Sequence, residues 1–200
     1  RNTLKNLDFY EGFLGQRLVK RTVNFDDPRS YHFYFGDSIG TPGTLLTFFY
    51  FGKIPQGARG VGEVSRISYN VRTAAKDFWI QRAKERDVPY TLDTNVFGEE
   101  VCALQDPDGI AIDLVFSHAD ADMTVWNESE IPPEAMMLGF HGATLTVVNT
   151  EEMKPALGEL GCSLKIESGL HSRFVARGSY ANILDFVEAP DLPKARQGTG

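Results

Sequence analysis

The sequence predicts an α+β protein of tandem β-α-β-β-β modules, which form curved, mainly antiparallel, barrel-like sheets. Three observations predict it. One helical pattern appears for every three strand-like runs. Short turns join the later strands of each set, and such turns require antiparallel pairing. The set also recurs: the run Ala111 to Val115 (AIDLV) matches Ile183 to Val187 (ILDFV). A doubly wound parallel sheet would need roughly one helix per strand.

The first copy covers 1–51 and lacks an opening strand. Leu4, Leu7, Tyr10, Phe13 and Leu14 recur at helical spacing, with Asn2 or Thr3 as N-cap and Gly15 as C-cap. Strands are expected over 18–25, 31–35 and 44–51, separated by Asp26-Asp27-Pro28 and Gly40-Thr41-Pro42-Gly43. A Gly-rich linker, 52–63, leads to the second copy, 64–117. Its strand 64–71 precedes a helix over 74–86, with Phe78, Trp79 and Ala83 on the apolar side. Strands 90–94, 100–105 and 110–116 follow, the last two joined by Asp106-Pro107-Asp108-Gly109. A polar linker, 118–138, opens the third copy, 139–189. Here strand 140–148 is followed by a helix over 150–160, with Thr150 as N-cap, Pro155 near its start and Gly161 after its end. Strands 162–167, 173–176 and 183–187 complete it. Residues 190–200 read as a linker toward an absent fourth module. The chain starts with Arg1 and ends in linker-like residues, so a piece of a longer protein, cut at both ends, is expected.

Composition narrows the function. Twenty Lys and Arg against 27 Asp and Glu give a net charge of −7 over 200 residues, which argues against a nucleic-acid surface. No apolar run approaches the ~18 residues needed to cross a bilayer, and no apolar segment follows a basic start. Two cysteines, Cys102 and Cys162, are too few for a disulfide framework or a Cys-rich zinc site; both are expected to pack as small hydrophobes. A reducing, cytoplasmic setting is the simplest expectation. Fourteen Phe, 7 Tyr and 2 Trp favour strands and a large apolar interior.

No glycine spacing suits a nucleotide. Asp106 and Asp108 are too close together for an EF-hand ligand set, so Pro107 and Gly109 mark them as turn formers. Lys20-Arg21 and the run from Arg82 to Arg86 read as solvated faces. His118 and His171 are expected in or beside loops, exposed to solvent.

The repeat resembles the vicinal oxygen chelate superfamily, which includes glyoxalase I, bleomycin-resistance proteins and extradiol dioxygenases. The Asp106-to-Gly109 turn before an apolar strand is one sign of it. The first copy is more specific. Its segments Asp8-Phe9-Tyr10, Gly12 to Gly15, Leu18 to Pro28, Tyr31-His32, Tyr34 to Asp37 and Gly40 to Thr44 look like four-module ring-cleaving dioxygenases that open hydroquinones. Gly139-Phe140-His141 and Arg196-Gln197-Gly198 also fit.

That resemblance implies a non-haem Fe(II), with Mn(II) as alternative, held by one His from each of the first and fourth modules and a Glu from the fourth. None of those ligands maps onto this chain, so no cofactor is expected for the piece itself. It implies a small aromatic, hydroquinone- or catechol-like substrate, O₂ as co-substrate, no nucleic acid and no membrane, with homo-oligomerisation left open. A glyoxalase-type metal lyase or isomerase and a metal-free drug-binding protein are the alternatives. The substrate-pocket candidates are His32, Thr47 and Phe49. Thr47 occupies the strand position of Asp113 and Asp185, where a ligand-bearing module carries its carboxylate; β-propensity explains a threonine there equally well. His32 either contacts substrate or is a satisfied polar group of the core. The aromatic runs Phe33 to Phe35 and Phe48 to Phe51 suit an apolar pocket wall. A second metal site would need His141, Asp113 and Asp185, with Arg66 adding opposing charge, and a degenerate, metal-free pocket is the expectation.

Overall fold

A computed structural model describes residues 2–52, 54–118, 126, 128–178 and 181–198. The chain enters through helix α1 (Thr3–Leu7), which continues as a wider π-helical stretch, Asp8–Phe13. Asn2 starts it by accepting from the Leu4 and Lys5 amides, and Gly15, at φ +69°, ends it. Strands β1 (Arg17–Val23), β2 (Tyr31–Gly36) and β3 (Leu46–Tyr50) then form a three-stranded antiparallel sheet in that order.

The remaining strands join one eight-stranded sheet. The second copy supplies β4 (Glu63–Arg72), α2 (Lys76–Glu85), β5 (Tyr90–Thr94), β6 (Glu100–Gln105) and β7 (Ala111–Ser117). The third supplies β8 (Phe140–Val147), α3 (Lys154–Glu159), β9 (Ser163–Ser168), β10 (His171–Val175) and β11 (Ile183–Glu188). The order is β5-β6-β7-β4-β8-β11-β10-β9. Each copy pairs its first and last strands in parallel and everything else antiparallel, and β4 and β8 join the two copies antiparallel.

This sheet curls. Glu99, just before β6, bonds Arg173 on β10 at 2.7 Å. Those strands are second and seventh in the order, and a flat sheet would hold them about 24 Å apart at ~4.8 Å per strand. Two side chains cannot bridge that gap, so the faces of the second and third copies close on one another.

The helices sit on the other side. One core gathers Phe9, Tyr10 and Phe13 from the first helix with Phe33 and Phe35 of β2. The same core takes in Trp79 of α2 and Tyr69, Val71, Ile112 and Leu114 of the large sheet. Full burial of such side chains is worth roughly 1.5–3 kcal/mol each. A smaller core holds Val147, Leu157, Phe174 and Phe186.

Three details depart from the sequence reading. Arg82 is buried: its Nε donates to the Phe13 carbonyl at 2.8 Å and its Nη2 to the Gly12 carbonyl, so it caps the first helix from α2. Thr150 makes no side-chain cap; Asn149 Oδ1 accepts from the Glu151 amide instead, and a single 3₁₀ turn precedes α3. His171 opens β10 and is half-buried rather than solvated. The segment after β3 and the chain's last described residues cross as a short ladder, Ala58 with Arg196 and Val61 with Lys194. A Cβ at Gly60 would overlap the Pro193 carbonyl, so this crossing needs glycine.

Candidate functional site

Alternation along β2 and β3 splits the first sheet into two faces. Phe33, Phe35 and Phe48 turn toward the first helix, with Phe48 at 4.6 Å and Phe35 at 5.3 Å from the Tyr10 ring. These three therefore build core, which corrects their reading as pocket wall. His32, Tyr34, Thr47 and Phe49 share the opposite face, since His32 pairs with Phe49 and Tyr34 with Thr47.

His32 is covered although its face is open. Phe49 stacks on it at 3.9 Å between ring centres, and the Tyr34 ring lies at 4.1 Å. His32 Nδ1 and the Tyr34 hydroxyl share a 3.0 Å hydrogen bond, while the buried Nε2 has no hydrogen-bond partner among the described residues. Burial and the Lys20 ammonium both lower its pKa, so the imidazole is neutral at pH 7. Lys20 lies 5.2 Å over the Tyr34 ring. Thr47 is exposed, Phe49 keeps 43% of its surface exposed, and Phe51 continues the stack at 5.7 Å. Beyond β3 the sheet has no further strand among the described residues. The result is an aromatic platform with a neutral imidazole and a phenol beneath its outer ring.

The inner face of the large sheet carries the other candidates. His141 falls at a bulge, where the ladder steps from Ser68–Gly142 to Tyr69–Phe140. Its Nδ1 lies 2.9 Å from Asn70 Oδ1 and its Nε2 3.2 Å from Glu99 Oε1. Arg173 grips Asp185 with two bonds, at 2.7 and 2.8 Å, and reaches Glu99 with a third. The Phe97 ring covers its guanidinium at 4.3 Å. Asp113 is paired with Arg66.

Burial alone would raise Glu99, but bonds from His141, Arg173 and Asn95 outweigh it and hold the carboxyl far below the usual range. Asp113 is pushed up by burial, which Arg66 only partly offsets. Arg173 is lowered by burial and raised more strongly by Asp185 and Glu99.

This donor set does not fit a metal ion. His141, Asp113 and Asp185 each engage a different partner, and both aspartates already face a guanidinium. Among the described residues no group of three or more His, Cys, Asp or Glu side chains is gathered to hold one. On the first sheet His32 is joined by a phenol and a hydroxyl, without a carboxylate. Glu99, Asn70 and Arg173 escaped the sequence reading. Only Arg173 carries a signal, a charge inside a strand, set opposite Asp185 in the register.

No family model matches the chain. Named proteins do. "Putative ring-cleaving dioxygenase MhqO" of Bacillus subtilis (strain 168) is 36% identical over 197 residues, covering 98% of this chain and 62% of MhqO. The chlorohydroquinone/hydroquinone 1,2-dioxygenase of Sphingobium indicum is 31% identical, over 94% of this chain and 60% of that enzyme. The chain thus spans less than two thirds of either relative. A crystal structure from Bacillus subtilis, described in like terms as a dioxygenase, superposes with a TM-score of 0.91 at 36% identity, covering 98% of this chain and 63% of that one. Glyoxalase I of Zea mays shares the fold at a TM-score of 0.69 and 16% identity, over 98% of this chain and 67% of its own. No described helix is long and apolar enough to cross a membrane. The chain has the glyoxalase (vicinal oxygen chelate) fold, and proteins 31–36% identical to it are named ring-cleaving dioxygenases.

Proposed function

We propose that this chain is part of a cytoplasmic ring-cleaving dioxygenase that opens hydroquinone- or catechol-like rings with O₂ and a non-haem Fe(II) or Mn(II). One observation carries the reading: 36% identity across 98% of the chain to a protein bearing that name. In this reading the metal ligands belong to the length of the relatives that this chain does not span, because the described donor sets do not fit a metal. The metal would supply the activation of O₂ and of the bound ring.

What this chain contributes is a substrate wall. Phe49 and Phe51 offer stacked ring faces to an aromatic substrate. The half-buried Tyr34 hydroxyl, held by the neutral His32 beneath Phe49, is the hydrogen-bonding group for a ring hydroxyl, and the exposed Thr47 lines the same face. Stacking orients the ring, the polar groups fix its rotation, and the apolar surround keeps water away.

The test is oxygen uptake after anaerobic Fe(II) loading, with chlorohydroquinone, catechol and a methylglyoxal–glutathione adduct as substrates, in a chain extended to its relatives' full length. Uptake with the hydroquinone supports the reading. Conversion of the adduct without oxygen uptake assigns a glyoxalase-type lyase. Tight binding of aromatics with neither reaction assigns a drug-binding protein.

A further inference from the structure

The three strands of the first sheet carry charge of one sign. Arg17, Lys20 and Arg21 on β1 are cationic, and β1, β2 and β3 hold no aspartate or glutamate. The chain as a whole carries −7. The carboxylates of residues 2–52, namely Asp8, Glu11, Asp26, Asp27 and Asp37, all lie outside these strands.

Register decides which cation reaches the substrate wall. Lys20 pairs with Tyr34 and Thr22 with His32, so Lys20 shares the open face with Tyr34, His32, Thr47 and Phe49. Arg21 pairs with Phe33 and belongs to the opposite face, and Arg17 Nη1 donates to the Ser38 carbonyl. Lys20 Nζ stands 5.2 Å over the Tyr34 ring, and the next two ring centres, His32 and Phe49, follow at 4.1 and 3.9 Å. Lys20 is exposed, and no ion pair of the described residues includes it. A cation over an exposed ring is weakly held, and the flexible four-carbon stem lets the ammonium swing to a better partner. Burial, and after it the Lys20 charge, keeps His32 neutral, so the ammonium is the one charge on this row.

A neutral ring needs only the stack and the Tyr34 hydroxyl. A ring hydroxyl with a pKa of about 10, as in tyrosine, is uncharged at pH 7, whereas a carboxylate is fully ionised. An ammonium at the end of an aromatic row therefore discriminates by charge. We propose that Lys20 is a specificity-determining residue, and that the wall selects a dihydroxylated ring bearing a carboxylate, which the ammonium pairs while the ring lies on the aromatic row. This inference rests on the reading of the open face as the substrate wall.

The test is binding calorimetry at pH 7 in metal-free buffer, with the chain extended to its relatives' length. The probes are 2,5-dihydroxybenzoate, its uncharged methyl ester and hydroquinone. The acid should bind about fivefold tighter than the ester, the scale of an exposed ion pair, and the gap should narrow as salt is raised to about 0.5 M. Lys20→Met, which keeps an apolar stem, should bind acid and ester alike, and Lys20→Arg should restore the preference. Equal affinity for acid and ester in the native protein overturns the inference, as does a preference that survives Lys20→Met. Hydroquinone separates the two readings. If it binds while the acid has no advantage, only the role of Lys20 falls; if none of the three probes binds, the substrate wall falls with it.

Discussion

The Tyr10 hydroxyl donates to Asp106 Oδ2 at 3.0 Å, inside the core and 96 residues away in sequence. Asp106 Oδ1 meanwhile accepts from the Asp108 and Ile110 amides, so one carboxylate both shapes the turn before β7 and anchors the first helix. Tyr10→Phe should leave a buried carboxylate oxygen unpaired and cost about 1–3 kcal/mol. Urea unfolding of the variant at pH 7 checks it. A loss below a few tenths of a kcal/mol would mean that the oxygen finds another partner.

Arg82 is the second weld between these parts. It hydrogen-bonds the two carbonyls that end the π-helical stretch, so Arg82→Ala should cost about 3 kcal/mol. The damage should be local first. Limited proteolysis is expected to cut near residues 12–16 in the variant at protease levels that leave the native chain whole. Cutting elsewhere first would show that the cap is not what holds the helix end.

Arg173 donates to two carboxylates, Asp185 and Glu99, and Glu99 in turn faces His141 Nε2. Removing it strands two half-buried carboxylates, and Arg173→Ala should lose about 2–3 kcal/mol. A divalent cation could then take the vacated charge. Added Zn²⁺ or Mn²⁺ should therefore raise the melting temperature of Arg173→Ala but not of the native chain. Equal shifts in both would locate metal binding elsewhere.

Glu99 gives the same cluster a pH signature. Its folded-state pKa lies below the ~4.3 of a free glutamate, so its stabilisation is complete above that value and lost as pH falls through it. Asp106 and Asp113 are raised by burial and act in the opposite sense, gaining on acidification. The difference between native and Glu99→Gln isolates the first effect. The native chain's advantage over Glu99→Gln should hold between pH 6 and about pH 5 and shrink from there toward pH 3 in denaturant titrations. An advantage that grows toward acid would reverse the assignment.

The fold was legible because the repeat is written in local chemistry. Turn residues such as Asp106-Pro107-Asp108-Gly109 and the two matched strands ending at Val115 and Val187 need no tertiary information. What stayed hidden depends on contacts between distant segments. Arg82 lies in a charged run that reads as solvent-facing, and only the packing of α2 against the first helix buries it. Phe33, Phe35 and Phe48 read as one aromatic class with Phe49. The strand alternation that separates core from platform cannot be assigned to a side until the helix position is known. Glu99 joins Arg173 only because the sheet curls.

Phe49 offers the sharpest separation of stability from binding. It is 43% exposed and stacks on His32 from the open side of the sheet. Truncating it removes little core, so Phe49→Ala should cost under about 1 kcal/mol in urea unfolding. The platform would suffer more. An aromatic stack of this kind is worth roughly 0.5–1.5 kcal/mol beyond the area it buries. Affinity for chlorohydroquinone, followed by calorimetry in the chain extended to its relatives' length, should then fall about tenfold. Leu at this position keeps the bulk but not the ring, and Phe49→Leu should bind nearly as poorly as Phe49→Ala while matching native stability. If both variants bind as the native protein does, the open face of the first sheet is not the wall on which the ring rests.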